Sequence, residues 1–151
     1  MKKKAPKKII IIGATSEIGF ELARLYVSRG DIVGCTGRRA EKLQGIREEF
    51  PANIHCRVMD VRSEACTEQL DELIGQMGGM DMLIYCAGVG NQNPSLQPDI
   101  ETDPVFTNVV GFSRIVIPAY NYFKQTGSPA QIVDISSLAG MRAISRTPRR
   151  S

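Results

Sequence analysis

The sequence predicts a doubly wound α/β fold around a parallel sheet of about five strands, and three observations carry that expectation. Short apolar runs rich in β-branched residues alternate with helix-period segments, at spacings too short for separate domains. The run Ile9-Ile10-Ile11-Ile12 leads straight into a turn bounded by Gly13 and Gly19, as when a strand delivers the chain to a helix N-terminus. Finally, Gly13, Arg38, Asp60, Gly88 and Ser137 all fall at the expected carboxyl ends of strands, where such sheets bind ligands.

A chain of 151 residues fits one domain with a sizeable core, here 1–151 with an irregular basic tail over 142–151. Hydrophobic content of 42% and charged content of 23% are those of an ordinary globular protein, which sets aside disordered and fibrous classes. Five lysines fall in the first eight residues, but the apolar run after them is only four isoleucines, too short for a signal peptide. No run approaches the roughly 18 apolar residues of a membrane span. With a net charge of only +3, neither nucleic acid nor membrane is expected as a partner. Cys35, Cys56, Cys66 and Cys86 lack metal-type spacing, so no metal site is expected. Cys35, Cys56 and Cys86 lie in or beside apolar strand-like segments, where free cysteine packs as a small hydrophobe. The expectation is a reduced, cytoplasmic protein. His55, the single histidine, stands near a strand start and is assigned a structural role.

The first strand is followed by a helix whose apolar stripe includes Ile18, Leu22 and Leu25, ended by Arg29-Gly30-Asp31. Ile32 to Thr36 is the second strand. A helix from Ala40 to Phe50 carries Leu43 and Ile46 on one face and stops at Pro51. Ile54 to Met59 forms the third strand. Ser63 is the expected N-cap of a helix bearing Cys66, Leu70, Leu73 and Met77. Gly78-Gly79 ends it, and Met82 to Cys86 is the fourth strand. Residues Val89 to Glu101 read as loop, and Asp103-Pro104 as a helix start with proline in its first position. Val105, Val109, Phe112 and Val116 then line one face, and Gln131 to Ser136 is the fifth strand.

The first turn presents unpaired N–H groups and the positive end of a helix dipole, which suits a pyrophosphate. Its residues Gly13, Thr15, Ser16, Ile18 and Gly19 are the candidates for that contact, although G-x-G-x-x-G is not complete. Arg38 and Arg39 follow the second strand, where an acidic residue would bind a ribose hydroxyl and an arginine suits a 2′-phosphate. Gly37 leaves room for that group, so NADP is favoured over NAD.

Together these residues resemble the short-chain dehydrogenase/reductase family across residues 8 to 140. The family's T-G-x-x-x-G-x-G turn is matched by Gly13 and Gly19, with Ile12 and Glu17 in place of its threonine and middle glycine. Asp60-Val61 matches the Asp-Val near the adenine, and Tyr85-Cys86-Ala87-Gly88 matches N-N-A-G. Asn108 matches the active-site helix asparagine. Ser137, within Ile132-Val133-Asp134-Ile135-Ser136-Ser137-Leu138-Ala139-Gly140, matches the catalytic serine.

The resemblance implies a Rossmann-type fold and hydride transfer between nicotinamide and a small carbonyl or alcohol substrate. In the family, Ser137 would orient the substrate oxygen, Asn108 would help hold a relay water, and a tyrosine with a lysine four residues later would move the proton. That tyrosine is expected near position 150, where this sequence has Arg149-Arg150-Ser151. The expectation is therefore a C-terminally truncated fold with impaired chemistry, an exposed flank on the fifth strand, and an apolar helix face open to self-association as a homo-oligomer. A non-catalytic NADP(H)-binding module or sensor is the alternative. A different doubly wound enzyme, such as a methyltransferase, fits Arg38 and the Ser137 segment less well.

Overall fold

In the computed structural model, residues 5–90, 93–95 and 97–137 are described; the tail expected over 142–151 lies outside them. The isoleucine run forms β1 (Lys8–Ile12). It is followed in chain order by α1 (Glu17–Ser28), β2 (Ile32–Gly37), α2 (Ala40–Glu49), β3 (Ile54–Val58), α3 (Cys66–Met77) and β4 (Met82–Tyr85). Then come α4 (Pro98–Val105), a π-helical turn (Phe106–Gly111), α5 (Phe112–Thr126) and β5 (Gln131–Asp134). The five strands pair in parallel in the order β3-β2-β1-β4-β5. The expected doubly wound α/β sheet is thus present, with strand ends within two residues of those read from the sequence.

Side chains alternate along each strand, so the sheet buries both faces. Ile9, Ile11, Val33, Cys35, Ile54 and Ile84 pack on one side with Ala23 of α1 and Leu43 and Ile46 of α2. Ile10, Ile12, Leu83 and Tyr85 pack on the other with Leu70, Leu73 and Met77 of α3 and Ile115 and Ala119 of α5. The chain reverses direction across the sheet between β1 and β4, which opens a crevice at their carboxyl ends. β5 is an edge strand among the described residues, and Ile135 just beyond it is exposed.

Four local expectations are corrected. On α1, Ile18 and Leu25 are 57% and 44% exposed, while Gly19 and Ala23 are buried. The helix meets the sheet along its smallest residues, because these allow the closest approach, and Phe20, Leu22, Tyr26 and Val27 flank that line. Ser63 does not cap α3: Ala65 holds that position, and Ser63 heads the preceding turn, its Oγ accepting from the Ala65 N–H at 3.3 Å. Cys56 and Cys86 are half-buried rather than buried.

The fourth correction concerns the helix expected to start at Asp103-Pro104. It starts at Pro98, which occupies the first position with Asp99 and Glu101 in the first turn, so Pro104 lies inside it. Proline has no N–H to give the preceding turn, and the helix widens into the π turn directly after it. That wider turn leaves Val105 and Val109 52% and 57% exposed, while Phe112 and Val116 pack against the core. The buried line is instead Thr107, Gly111, Ile115 and Ala119.

Candidate functional site

Each strand that borders the crevice ends in a tightly tied turn. The carbonyl of Thr36 on β2 accepts from the N–H groups of both Gly13 and Ala14, at 3.1 and 2.8 Å, which bends the chain sharply out of β1. Gly13 has φ +89°, and a Cβ there would sit 2.8 Å from the Ala87 nitrogen, so only glycine fits between β1 and the exit of β4. Ser16 then caps α1: its Oγ accepts from the Gly19 N–H at 3.1 Å and donates to the Gly13 carbonyl at 2.8 Å. The N–H groups of Thr15, Glu17 and Ile18 are left without a partner among the described residues. They stand at the positive end of α1, a cradle for an anion. Glu17 is exposed in this first turn, where the dipole favours its charge.

Across the crevice, Gly37 closes β2 against Thr15, whose side chain would lie 2.7 Å from a Cβ at that position. Arg38 projects at the rim, and Arg39 donates to the Thr15 carbonyl at 2.5 Å, joining the second turn to the first. Asp60 lies past β3. Its carboxylate accepts from the Arg62 backbone at 3.0 Å and from the guanidinium at 2.7–3.1 Å, while Arg62 also donates to Asp103 of α4 at 2.8 Å. Those hydrogen bonds from Arg62 hold the Asp60 carboxyl below the usual carboxylate range, with the Arg38 charge adding to the effect.

The crevice is lined by Gly13, Thr15, Ser16, Arg38, Arg39, Asp60, Val61, Ala87 and Gly88 from the sequence-derived set. Four others lie outside the lining. Ile18 is exposed on α1, and Gly19 is packed beneath the turn. Asn108 reaches it through the backbone after β4, accepting from the Val89 N–H at 2.9 Å and donating to the Val89 carbonyl at 2.8 Å. Ser137 is exposed, three residues past β5.

Sequence reading missed Thr36 and Thr107, which also line the crevice. Thr36 works through its carbonyl, which any residue would supply. Thr107 is buried, its carbonyl accepts from the Tyr85 hydroxyl at 3.2 Å, and its own Oγ1 has no hydrogen-bond partner among the described residues. Its four-residue spacing from Gly111, Ile115 and Ala119 was the available signal.

The site therefore combines a glycine turn on a helix N-terminus, a basic rim beyond β2, and an acidic turn beyond β3. The family model for short chain dehydrogenases matches residues 7–148. The chain belongs to the short-chain dehydrogenase family. It is 29% identical over 139 residues to the NADP-dependent 3-hydroxy acid dehydrogenase of Escherichia coli, covering 87% of this chain and 54% of that protein. It is 30% identical to sulfoacetaldehyde reductase 2 of Chromohalobacter salexigens, covering 87% of this chain and 55% of that protein. Among solved structures, an actinorhodin polyketide ketoreductase with NADPH superposes with a TM-score of 0.83 at 27% identity, covering 92% of this chain and 56% of that one. The chain thus spans a little over half the length of these relatives.

Burial pushes the Cys86 thiol up to about 11, with the Asp134 charge adding to it, so a neutral thiol stands at the exit of β4. The tyrosines of α5 lie away from the crevice. The Tyr122 hydroxyl accepts from the Met80 N–H at 3.2 Å, beside the amino end of β4, and Tyr120 is exposed on the outer face of α5.

Proposed function

We propose that this short-chain dehydrogenase chain binds NADP(H) in the crevice, as the cofactor-holding part of an oxidoreductase acting on a small carbonyl or alcohol. Bound there, the nicotinamide would supply or accept the hydride. The chain's own residues would do the holding. The N–H groups of Thr15, Glu17 and Ile18, with Ser16 fixing the turn, would take the pyrophosphate, and Gly13 and Gly19 keep that turn close to the sheet. Arg38 and Arg39 would take the 2′-phosphate beside Gly37. Asp60 and Val61 would border the adenine, and Ala87 and Gly88 would flank the cofactor past β4. Ser137 would orient the substrate oxygen. Asn108 would position that end of the site through Val89.

The carrying observation is the placement of Arg38, exposed at the rim across from the α1 N-terminus, with no acidic side chain at the end of β2. The NADP-dependent relative and the NADPH-bound ketoreductase support the same cofactor. A charge-assisted hydrogen bond is worth about 1.5–3 kcal/mol, or roughly ten- to hundredfold in affinity. Arg38→Ala should lower NADPH affinity by that factor, measured by calorimetric titration, and leave NADH affinity unchanged. An unchanged NADPH/NADH ratio overturns the assignment.

The acid/base work is a separate question. With Tyr120 and Tyr122 away from the crevice, the described residues bring no tyrosine–lysine pair to it, which favours binding without turnover by these 151 residues. Carbonyl-dependent NADPH oxidation by the purified chain would refute that. The exposed Val105, Phe106, Val109, Ile117 and Tyr120 support self-association through α4 and α5, which sedimentation at two concentrations would test.

A further inference from the structure

Cys35 of β2 and Cys56 of β3 are register partners in the parallel pairing. Their Cα atoms therefore stand at the inter-strand spacing of about 4.8 Å, and their side chains leave the same face of the sheet. That spacing lies within the range of about 4.4–6.8 Å usual for the Cα atoms of a disulfide. Both cysteines pack on that face within one apolar cluster.

Their surroundings differ. Cys35 is fully buried on an inner strand. Cys56 is half-buried on β3, an edge strand among the described residues, where its thiol donates to the Leu43 carbonyl of α2 at 3.4 Å and lies near the Arg47 guanidinium. The hydrogen bond from Cys35, with Arg47, lowers the Cys56 thiol below its ordinary value against the opposing effect of burial. Cys35 is raised, first by that same interaction with Cys56 and then by burial. Cys66 and Cys86 are both raised by burial and lack a cysteine in register.

We propose that Cys56 and Cys35 form a peroxide-reactive redox site separate from the dinucleotide crevice. The Cys56 thiolate attacks the near oxygen of a hydroperoxide, the O–O bond breaks, and hydroxide or alkoxide leaves, giving the sulfenic acid. Cys35 then attacks that sulfur, the S–O bond breaks, and water departs as the Cys35–Cys56 disulfide closes. A thiol reductant supplies the two electrons that reopen it.

The test uses the full chain. In the reduced protein near neutral pH, iodoacetamide should alkylate Cys56 at least about tenfold faster than Cys35, Cys66 or Cys86. Limiting hydrogen peroxide should remove two hydrogen masses, yield a Cys35–Cys56 cross-linked peptide, and be reversed by dithiothreitol. In Cys35→Ser, Cys56 should gain one oxygen, be trapped by dimedone, and form no internal disulfide. In Cys56→Ser, Cys35 should stay unmodified. A disulfide using Cys66 or Cys86, or alkylation of Cys56 no faster than the others, overturns the proposal. Should Cys35→Ser fail to fold, the wild-type alkylation rates and peptide map decide it alone.

Discussion

Replacing Gly19 with alanine sets two opposed effects against each other within one helix. Alanine is the better helix former by about 1 kcal/mol, so propensity alone predicts a more stable protein. Packing predicts the reverse. A Cβ at position 19 would lie 2.3 Å from the Gly13 carbonyl oxygen, 2.8 Å from the Ala14 Cα and 2.9 Å from the Gly13 carbonyl carbon. All three are backbone atoms, so no side chain can swing aside. Restoring ordinary contact requires α1 to withdraw by about 1 Å. The Gly13 carbonyl is held by the Ser16 N–H at 3.1 Å and the Ser16 hydroxyl at 2.8 Å, so withdrawal also loosens the cap. Overpacking costs about 1–3 kcal/mol and a weakened cap about 1 kcal/mol more, which outweighs the propensity gain. Gly45 provides the control: it lies exposed inside α2, and a Cβ there would meet nothing within 4 Å. Gly45→Ala should stabilise by about 0.5–1 kcal/mol. With a urea dependence of about 2 kcal/mol/M, Gly19→Ala should lower the unfolding midpoint by roughly 0.5–1.5 M and Gly45→Ala should raise it by roughly 0.3–0.5 M. Equal or same-signed shifts would refute the close-approach reading of α1.

Tyr85→Phe keeps the edge contact with Phe112 (ring centroids 5.2 Å apart) but strips the Thr107 carbonyl of its 3.2 Å hydrogen bond. A loss of about 1 kcal/mol is expected in urea unfolding, and an unchanged midpoint would mean that the bond contributes nothing. The Asp60 carboxyl is lowered in the folded state, so the stability it contributes is complete above its unfolded pKa of about 3.9 and is lost as pH falls through the lower folded value. Arg62→Met should flatten the acid limb of the stability–pH curve below about pH 4; a limb as steep as that of the wild type contradicts the role given to Arg62. Asn108→Ala removes both contacts to Val89, and amide exchange at Val89 should quicken about five- to tenfold while Leu83 in β4 keeps its protection. Equal effects at both amides would point to general loosening instead.

The strands were legible because each is a short β-branched or apolar run closed by glycine or a turn, and that signal is local. Gly13, Arg38, Asp60 and Gly88 could be placed around one crevice for a similar reason: in a parallel sheet, every residue following a strand arrives at the same end. What escaped the sequence depended on distance in space. The buried line of α1 runs through Gly19 and Ala23, and apolar periodicity cannot find a contact made by the smallest residues. The face of the later helix was misread because the count assumed 3.6 residues per turn, and the π turn abandons that period. Thr36 and Thr107 left little trace because the sheet uses their carbonyl groups.

That π turn gathers more of the site than any other short segment. A Cβ on Gly111 would stand 2.6 Å from Val61 Cγ2 and 3.1 Å from the Val61 carbonyl oxygen, so the helix rides directly on the exit of β3. Within the same turn, Thr107 receives the Tyr85 hydroxyl from β4 and Asn108 grips Val89 just past it. A regular helix, at 100° per residue, would carry residues spaced four apart steadily off one line; the wider turn keeps Thr107 and Gly111 aimed at the sheet along with Ile115 and Ala119. Arg62 extends the connection by joining Asp60 to Asp103 one turn earlier. The exits of β3 and β4 are thus held by one stretch of helix, and their spacing depends on Pro104, Thr107, Asn108 and Gly111 acting together. Arg38, at the opposite rim, has no such scaffold and is placed by the end of β2 alone. Substitutions in the π turn should therefore disturb the Asp60 and Val89 sides jointly, whereas a change at Arg38 reaches Asp60 only through its charge.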